Sequence, residues 1–214
     1  MEIKKIIKGV LFDLDHTILD LPINYDSLRH DLSGLASTYG VVSGFRHILE
    51  EINRIASSLP LQSSREFLNS CYKIIDRYEL EAANRATPVE GSPILARSLK
   101  SKGYGLAIIS RNSINCVKAS LIHTVMIQHF DVLVGRESTA RTKPDPAPLI
   151  FCLERMGLQP TEAVFVGDHH YDAIAASGAG MKFVFFGSIP HFKPQPPIRI
   201  EKLEQLVGLL EDGL

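Results

Sequence analysis

An excess of one charge is the first thing this sequence lacks. Lys and Arg number 23 against 24 Asp and Glu, so no global field draws the chain to nucleic acid or to an anionic membrane. Cysteine is scarce too. Cys71, Cys116 and Cys152 are odd in number and far apart, which argues against a disulfide framework and for buried thiols in a reducing cytosol. No Cys-x-x-Cys or His-x-x-x-His spacing is present to hold zinc. Apolar runs stop well short of a bilayer span. Lys4, Lys5 and Lys8 come early, but Asp13 and Asp15 break the apolar stretch that follows before it could serve as a signal-peptide core. Repeats and low-complexity tracts are missing, and Lys193-Pro194-Gln195-Pro196-Pro197 reads as an extended loop before the last helix. These absences lead to an expectation of a soluble, cytoplasmic protein whose partner is a small molecule. They leave the oligomeric state open.

What is present is an alternation. Apolar runs near residues 9–13, 105–110, 131–135, 163–167 and 182–186 carry no polar alternation, as expected of strands covered on both faces. Between most of them the spacing is helical: Pro93 through Leu99, Val117 through Ile122, Pro148 through Met156 and Ala173 through Ala176. The pattern predicts an α/β fold with a doubly wound parallel sheet. One interval departs from it. From Leu21 to Thr87 no strand-like run occurs, while Leu28, Leu32 and Leu35, then Ile48, Ile52 and Ile55, then Phe67, Cys71 and Ile74 recur at helical spacing. The domain expectation is therefore a core of residues 1–20 and 88–214 with an all-helical insertion over 21–87. Pro22, and Pro88 with Gly91, are its candidate boundary residues. A helical layer fixed to the core is the other reading.

The first strand candidate, Val10-Leu11-Phe12, ends in Asp13-Leu14-Asp15-His16-Thr17. Two carboxylates at period-2 spacing leave a sheet together, so one main chain can present a nucleophile and an acid/base. Alone, the same pattern describes carboxylates that cap a turn or a helix. Three later segments add to it. Leu106-Ala107-Ile108-Ile109 ends in Ser110-Arg111-Asn112; Asp131 through Gly135 is followed by Lys143-Pro144-Asp145-Pro146; Ala163-Val164-Phe165-Val166 runs into Gly167-Asp168-His169-His170-Tyr171-Asp172. In this order the chain resembles the haloacid dehalogenase superfamily of phosphohydrolases. Its four motifs are Asp-x-Asp-x-Thr, a strand-terminal Ser or Thr, a Lys, and Gly-Asp-x-x-x-Asp, and the resemblance spans about residues 8 to 187.

The resemblance implies a Rossmann-like core, a helical cap over 21–87, and Mg²⁺-dependent hydrolysis of a small phosphorylated metabolite, of the phosphoglycolate-phosphatase-like kind. Asp13 would be the nucleophile that forms an aspartyl-phosphate, and Asp15 would protonate the leaving alkoxide and then take a proton from water. Ser110 and Lys143 complete the catalytic set. Thr17, Ser110, Arg111, Asn112 and Lys143 are the candidate substrate-binding residues, with backbone N–H groups around Arg111 and Asn112 expected to open a helix toward the anion. Asp13, the main-chain carbonyl of Asp15, and Asp168 would hold Mg²⁺, whose octahedral shell asks for hard oxygen. Asp172 is counted with them as holder of a metal-bound water or of Lys143. A carboxylate that simply favours a helix N-terminus is its alternative reading.

His16 replaces the family's usual Gly, and substrate contact and outward exposure are both open to it. His169 and His170 stay outside the metal set, since neighbouring residues do not both face one ion and hard-oxygen chemistry needs neither. A phosphomutase would keep the same motifs. A haloacid dehalogenase would need neither Asp15 as an acid nor Mg²⁺, and a receiver-like signalling module would lack both the helical insertion and the second Asp.

Overall fold

Val10, Leu11 and Phe12 have no face that tolerates water, and the fold surrounds them. In the computed structural model, which describes residues 7–188, 196 and 198–214, strand β1 (Gly9–Phe12) is buried along its length. After the turn that carries Asp13 to Thr17, the chain runs through the two-residue strand β2 (Leu19–Asp20) into three helices, α1 (Tyr25–Thr38), α2 (Ile48–Ser58) and α3 (Leu61–Ala83). Asn24 starts the first of these by accepting the Ser27 N–H at 3.1 Å. The helices close around Leu28, Leu32, Phe45, Ile52, Phe67 and Cys71, a core of their own. Tyr39 stands edge-on to Phe67 there, ring centroids 5.2 Å apart. Glu51 ties down the connection between α1 and α2: its carboxylate accepts the Ser43 hydroxyl, the Phe45 N–H at 3.1 Å and the His47 N–H at 2.9 Å.

The chain returns along β3 (Thr87–Pro88), antiparallel to β2 with Asp20 opposite Thr87 and Leu19 opposite Pro88. Gly91, at φ 82°, turns it into α4 (Ser92–Ser101). Strand and helix then alternate: β4 (Gly105–Ile109), α5 (Ile114–His123), β5 (Val132–Val134), α6 (Ala147–Met156), β6 (Ala163–Gly167), α7 (His170–Gly178), β7 (Lys182–Phe186), β8 (Arg199–Ile200) and α8 (Gln205–Asp212). The six strands of the main sheet are parallel in the order β5-β4-β1-β6-β7-β8. The connections run outward from β1 to β4 and β5, then cross to β6 on its other side. The order therefore reverses at β1, and the crevice at the carboxyl end of that strand is where a doubly wound sheet binds ligands. By compactness the chain forms two units, residues 1–21 with 83–214, and residues 22–82.

The fold class is the expected one, and all five apolar runs are strands. Three strands went unread. β2, β3 and β8 are two residues each, too short to show as apolar runs, and β3 begins at Thr87, within the interval expected to hold helices only. A second correction concerns the segment after β4. Arg111 and Asn112 do not open a helix: α5 starts at Ile114, capped by the Ser113 hydroxyl, which accepts the Cys116 N–H at 3.2 Å. The Asn112 N–H is committed to Ser110 Oγ at 3.0 Å, and the Asn112 carbonyl accepts the Arg136 N–H at 2.8 Å. Both groups are thereby held outside the helix. Lys4 and Lys5 lie outside the described residues, as does the expected loop at 193–197 except for Pro196.

Candidate active site

The register of the sheet places the motifs. Phe12 lies opposite Ile108 on one side and Val166 on the other, so the segments beginning at Asp13, Ser110 and Asp168 leave the sheet at one level. The Asp13 N–H still bonds the Val166 carbonyl at 2.9 Å, and the Ser110 N–H bonds the Val134 carbonyl at 2.9 Å. Lys143 comes in from the loop ahead of α6, where Pro146 caps the helix and Pro148 occupies its first turn.

Lys143 is 3 % exposed. Its Nζ lies 2.5 Å from Asp13 Oδ1 and 2.7 Å from Asp172 Oδ1. Burial opposes its charge, but the two carboxylates outweigh burial and raise its pKa above the ordinary value, so it remains an ammonium. Asp172 uses its other oxygen, Oδ2, to accept the His169 N–H at 3.1 Å. This carboxylate therefore secures Lys143. Gly167 allows it to do so, because a Cβ at that position would stand 2.4 Å from Asp172 Oδ2.

Oxygens of Asp13, Asp168 and Asp172 lie within 4.8 Å of one another. Burial first, then the Asp13 and Asp172 carboxylates, push Asp168 up to about 7. Three acids gathered around a single ammonium form a hard-oxygen set with more negative charge than Lys143 can neutralise, and that set fits a divalent cation of the Mg²⁺ type. Asp13 and Asp168 are its natural donors, since Asp172 has both oxygens engaged. The Asp15 carboxylate is not part of this group.

Asp15 Oδ1 accepts the Leu21 N–H at 3.0 Å, and burial lifts its pKa to about 6. That suits a carboxyl that must carry a proton near neutrality. His16 sits at φ 58°, the left-handed region that favours glycine. Its Nδ1 meets Asp20 Oδ1 at 3.1 Å, its Nε2 lies 3.9 Å from Asp15 Oδ2, and its side chain is 64 % exposed. Thr17 is fully buried with its hydroxyl 3.5 Å from Asp168 Oδ1, so it faces that carboxylate and no solvent. Ser110 is buried at the end of β4. Asn112 Nδ2 is shut away from water with no hydrogen-bond partner, a donor in want of an acceptor. The Arg111 guanidinium lies 4.8 Å from the centroid of the Tyr171 ring.

His169 has a structural duty. Its Nδ1 accepts the Tyr171 N–H at 3.2 Å and caps α7. Burial, with help from His170 and Arg111, lowers its pKa to about 4, so the ring is neutral. His169 and His170 lie outside the group formed by Asp13, Asp168 and Asp172. What the sequence reading missed is the brace beneath Ser110. Arg136, 7 % exposed, donates its N–H to Asn112 and its Nη1 to the Arg111 carbonyl at 3.2 Å, and Glu137 Oε2 accepts the Ile114 N–H at 3.0 Å. The available signal was Gly135-Arg136 at a strand end, since a Cβ on Gly135 would stand 2.5 Å from the Ile114 nitrogen.

Comparison with known proteins gives several similar chains. A protein of Caldanaerobacter subterraneus named as a pyrophosphatase of the PpaX type is 30% identical, over 96% of this chain and 95% of its own. The phosphoglycolate phosphatase of Aquifex aeolicus is 26% identical, over 96% and 97%. The crystal structure of a haloacid-dehalogenase-superfamily hydrolase of subfamily IA from Geobacter sulfurreducens superposes with a TM-score of 0.65 at 25% identity, covering 95% of this chain and 99% of that one. The sequence model of the haloacid dehalogenase-like hydrolases matches residues 10–186. A match that begins inside β1 and ends with β7 takes in every strand end that carries the acidic cluster, and this chain belongs to the haloacid dehalogenase-like hydrolase family.

Proposed function

We propose that the chain is a Mg²⁺-dependent phosphatase that hydrolyses a small phosphate monoester through an aspartyl-phosphate on Asp13. The observation that carries this reading is the contact between Asp13 Oδ1 and Lys143 Nζ at 2.5 Å. A carboxylate held beside a buried ammonium is fixed in orientation by a charge-assisted bond, and a second carboxyl follows two residues later. The relatives support the substrate class. Two relatives are named for pyrophosphate and phosphoglycolate, which are small and carry a second acidic group.

In the proposed first step Asp13 attacks phosphorus and the bond from phosphorus to the ester oxygen breaks. The departing oxygen takes the proton of Asp15. In the second step Asp15, now a carboxylate, removes a proton from water as that water attacks phosphorus. Inorganic phosphate leaves and Asp13 is regenerated. Ser110 and the Asn112 amide supply neutral donors to the phosphoryl oxygens, and Lys143 offsets part of their charge. Asp13, the carbonyl of Asp15, and Asp168 would hold Mg²⁺, which would supply positive charge to offset that of the phosphoryl oxygens. Asp172 acts as a positioning residue through Lys143. A carbon–halogen hydrolase needs no leaving-group acid, so Asp15 with its raised pKa favours phosphate chemistry.

Residues 21–87 are proposed to act as a cap that selects the substrate and shuts out water. A separate hydrophobic core within the helices supports an element able to move as one piece. Three free, buried cysteines support a cytoplasmic setting. Among the described residues no helix is long and apolar enough to cross a membrane.

A panel of phosphorylated metabolites assayed with and without Mg²⁺ tests the reading, together with acid-quench trapping of labelled protein from a ³²P substrate. Label that appears in the wild type and is missing in Asp13→Asn is expected. No hydrolysis of any phosphate ester would overturn it.

A further inference from the structure

His16 stands at φ 58°, in a backbone region that glycine enters freely and other residues enter at a cost. The turn around it dictates that conformation. The His16 N–H bonds the Leu19 carbonyl at 2.9 Å, and the N–H groups of Ile18 and Leu19 both bond the Leu14 carbonyl at 2.9 Å. A side chain kept at a strained backbone position beside a reacting group points to a use for that side chain. The ring is tethered at one nitrogen and presented at the other. Nδ1 meets Asp20 Oδ1 at 3.1 Å, and Nε2 lies 3.9 Å from Asp15 Oδ2. Asp15 Oδ1 is engaged by the Leu21 N–H at 3.0 Å, which leaves Oδ2 to exchange protons.

A gap of 3.9 Å is too long for a direct hydrogen bond and suits one shared oxygen. An atom about 2.8 Å from each partner fits between them. In the proposed reaction two oxygens meet Asp15 in turn, the ester oxygen that departs and the water that replaces it. The ester oxygen carries carbon in one direction and needs a single proton. Water brings two hydrogens and two lone pairs. One hydrogen goes to Asp15 and one lone pair to phosphorus, so one of each is spare. Either spare serves Nε2, which accepts from water when bare and donates to it when protonated.

We propose that His16 is a further catalytic residue of the second step, holding the hydrolytic water between Nε2 and Asp15 Oδ2 with a lone pair facing phosphorus. The water oxygen forms its bond to phosphorus, and the bond from phosphorus to Asp13 breaks with its electron pair returning to the carboxylate. One proton passes to Asp15 and the other leaves on inorganic phosphate. Asp20 is the positioning residue for the ring. This deepens the phosphatase reading and rests on it.

The test uses the full chain with Mg²⁺ and ³²P-labelled p-nitrophenyl phosphate. With this substrate kcat/KM ends at the departure of nitrophenolate, whereas kcat includes attack by water. His16→Gly suits the test, because glycine adopts the backbone of residue 16 without strain. It is expected to lower kcat by roughly ten- to a hundredfold, the worth of one well-placed hydrogen bond in the transition state. The value of kcat/KM should stay within about twofold, so that KM falls with kcat. Acid quench should trap more label on the protein than in the wild type. His16→Asn tolerates the same backbone with a side chain too short for the shared water, and should give the same split. Asp20→Ala, which releases the ring, should give a weaker one. An equal fall in kcat and kcat/KM without extra label would overturn the proposal and assign the ring to the departing oxygen. Unchanged kinetics would overturn it too. A wild type that hydrolyses no phosphate ester would instead remove the phosphatase reading beneath it. Should both His16 variants fail to fold, Asp20→Ala decides by the same split.

Discussion

Lys143 Nζ and Asp172 Oδ1 lie 2.7 Å apart with both residues closed to solvent, at 3 % and 1 % exposure. Neither charge could remain there alone. Lys143→Met is expected to abolish hydrolysis and to lower unfolding stability by about 3 kcal/mol or more, because it leaves buried carboxylates uncompensated. Chemical denaturation and a steady-state assay of the same preparation check both effects. Unchanged stability would mean that Asp172 and Asp13 do not depend on this ammonium.

The two carboxyls of the first loop should fail differently. Asp13→Asn keeps the shape and loses the nucleophile, so turnover of every phosphate ester should vanish while the circular dichroism spectrum stays native. Asp15→Asn should slow an alkyl phosphate by roughly a hundredfold or more and p-nitrophenyl phosphate much less, since a good leaving group needs little protonation. Equal losses on the two esters would count against Asp15 as the acid.

Metal removal gives a third expectation. Chelator should stop hydrolysis, Mg²⁺ should restore it, and Ca²⁺ should compete without supporting it, because the larger ion relaxes octahedral geometry. Calorimetric titration with Mg²⁺ alone should give a binding isotherm in the wild type and none in Asp168→Ala. Activity persisting in excess chelator would remove the metal.

Gly167→Ala is predicted to disturb catalysis from behind the site. The new methyl would stand 2.4 Å from Asp172 Oδ2, so the carboxylate must shift away from Lys143. A cost of about 1–3 kcal/mol is expected from the forced displacement, with a fall in kcat and little change in KM. A variant as stable and as fast as the wild type would show that the carboxylate has room to yield.

Within the helical unit, pH should act through Glu51. Burial opposes its ionisation, but the Ser43 hydroxyl and the N–H groups of His47 and Phe45 prevail and hold its pKa below the ordinary 4.5. The resulting stability is fully present above pH 4.5 and is lost as pH falls through the lower folded value. Glu51→Ala should remove this acid dependence and loosen the 40–47 connection. Hydrogen exchange at Phe45 and His47, measured above and below pH 4.5, distinguishes the variant from the wild type.

Legibility in the sequence followed the range of the interaction. Asp13 and Asp15 could be read because their spacing along one strand sets their exit from the sheet, and the five long strands because burial on both faces excludes polar residues from them. β2 and β3 could not be read, since two residues leave no periodicity and their pairing joins Asp20 to Thr87 across the whole insertion. The duty of Asp172 stayed open for a related reason: which partners its oxygens take depends on the turn at His169 and on Lys143 arriving from another loop. Arg136 was invisible because its brace exists only once β4 and β5 lie side by side. His16 stood out as a departure from the usual Gly, but its left-handed backbone and its contact with Asp20 belong to the folded turn.

The ribbon formed by β2 and β3 has a consequence for how such a chain can change over generations. Departure and return are adjacent, with Leu19 and Asp20 hydrogen-bonded against Pro88 and Thr87, so the sheet registers whatever lies between them as a single hairpin excursion. The entropy of closing that excursion grows only slowly with its length. Helices can thus be lengthened, exchanged or pared down to a short turn by insertion and deletion at one pair of neighbouring residues, while the register that brings Asp13, Ser110 and Asp168 to one level is inherited unchanged. On the proposed reading of the helices as the substrate-selecting element, changes in what the protein accepts can accumulate between Asp20 and Thr87 without touching the strand register that sets the acidic cluster.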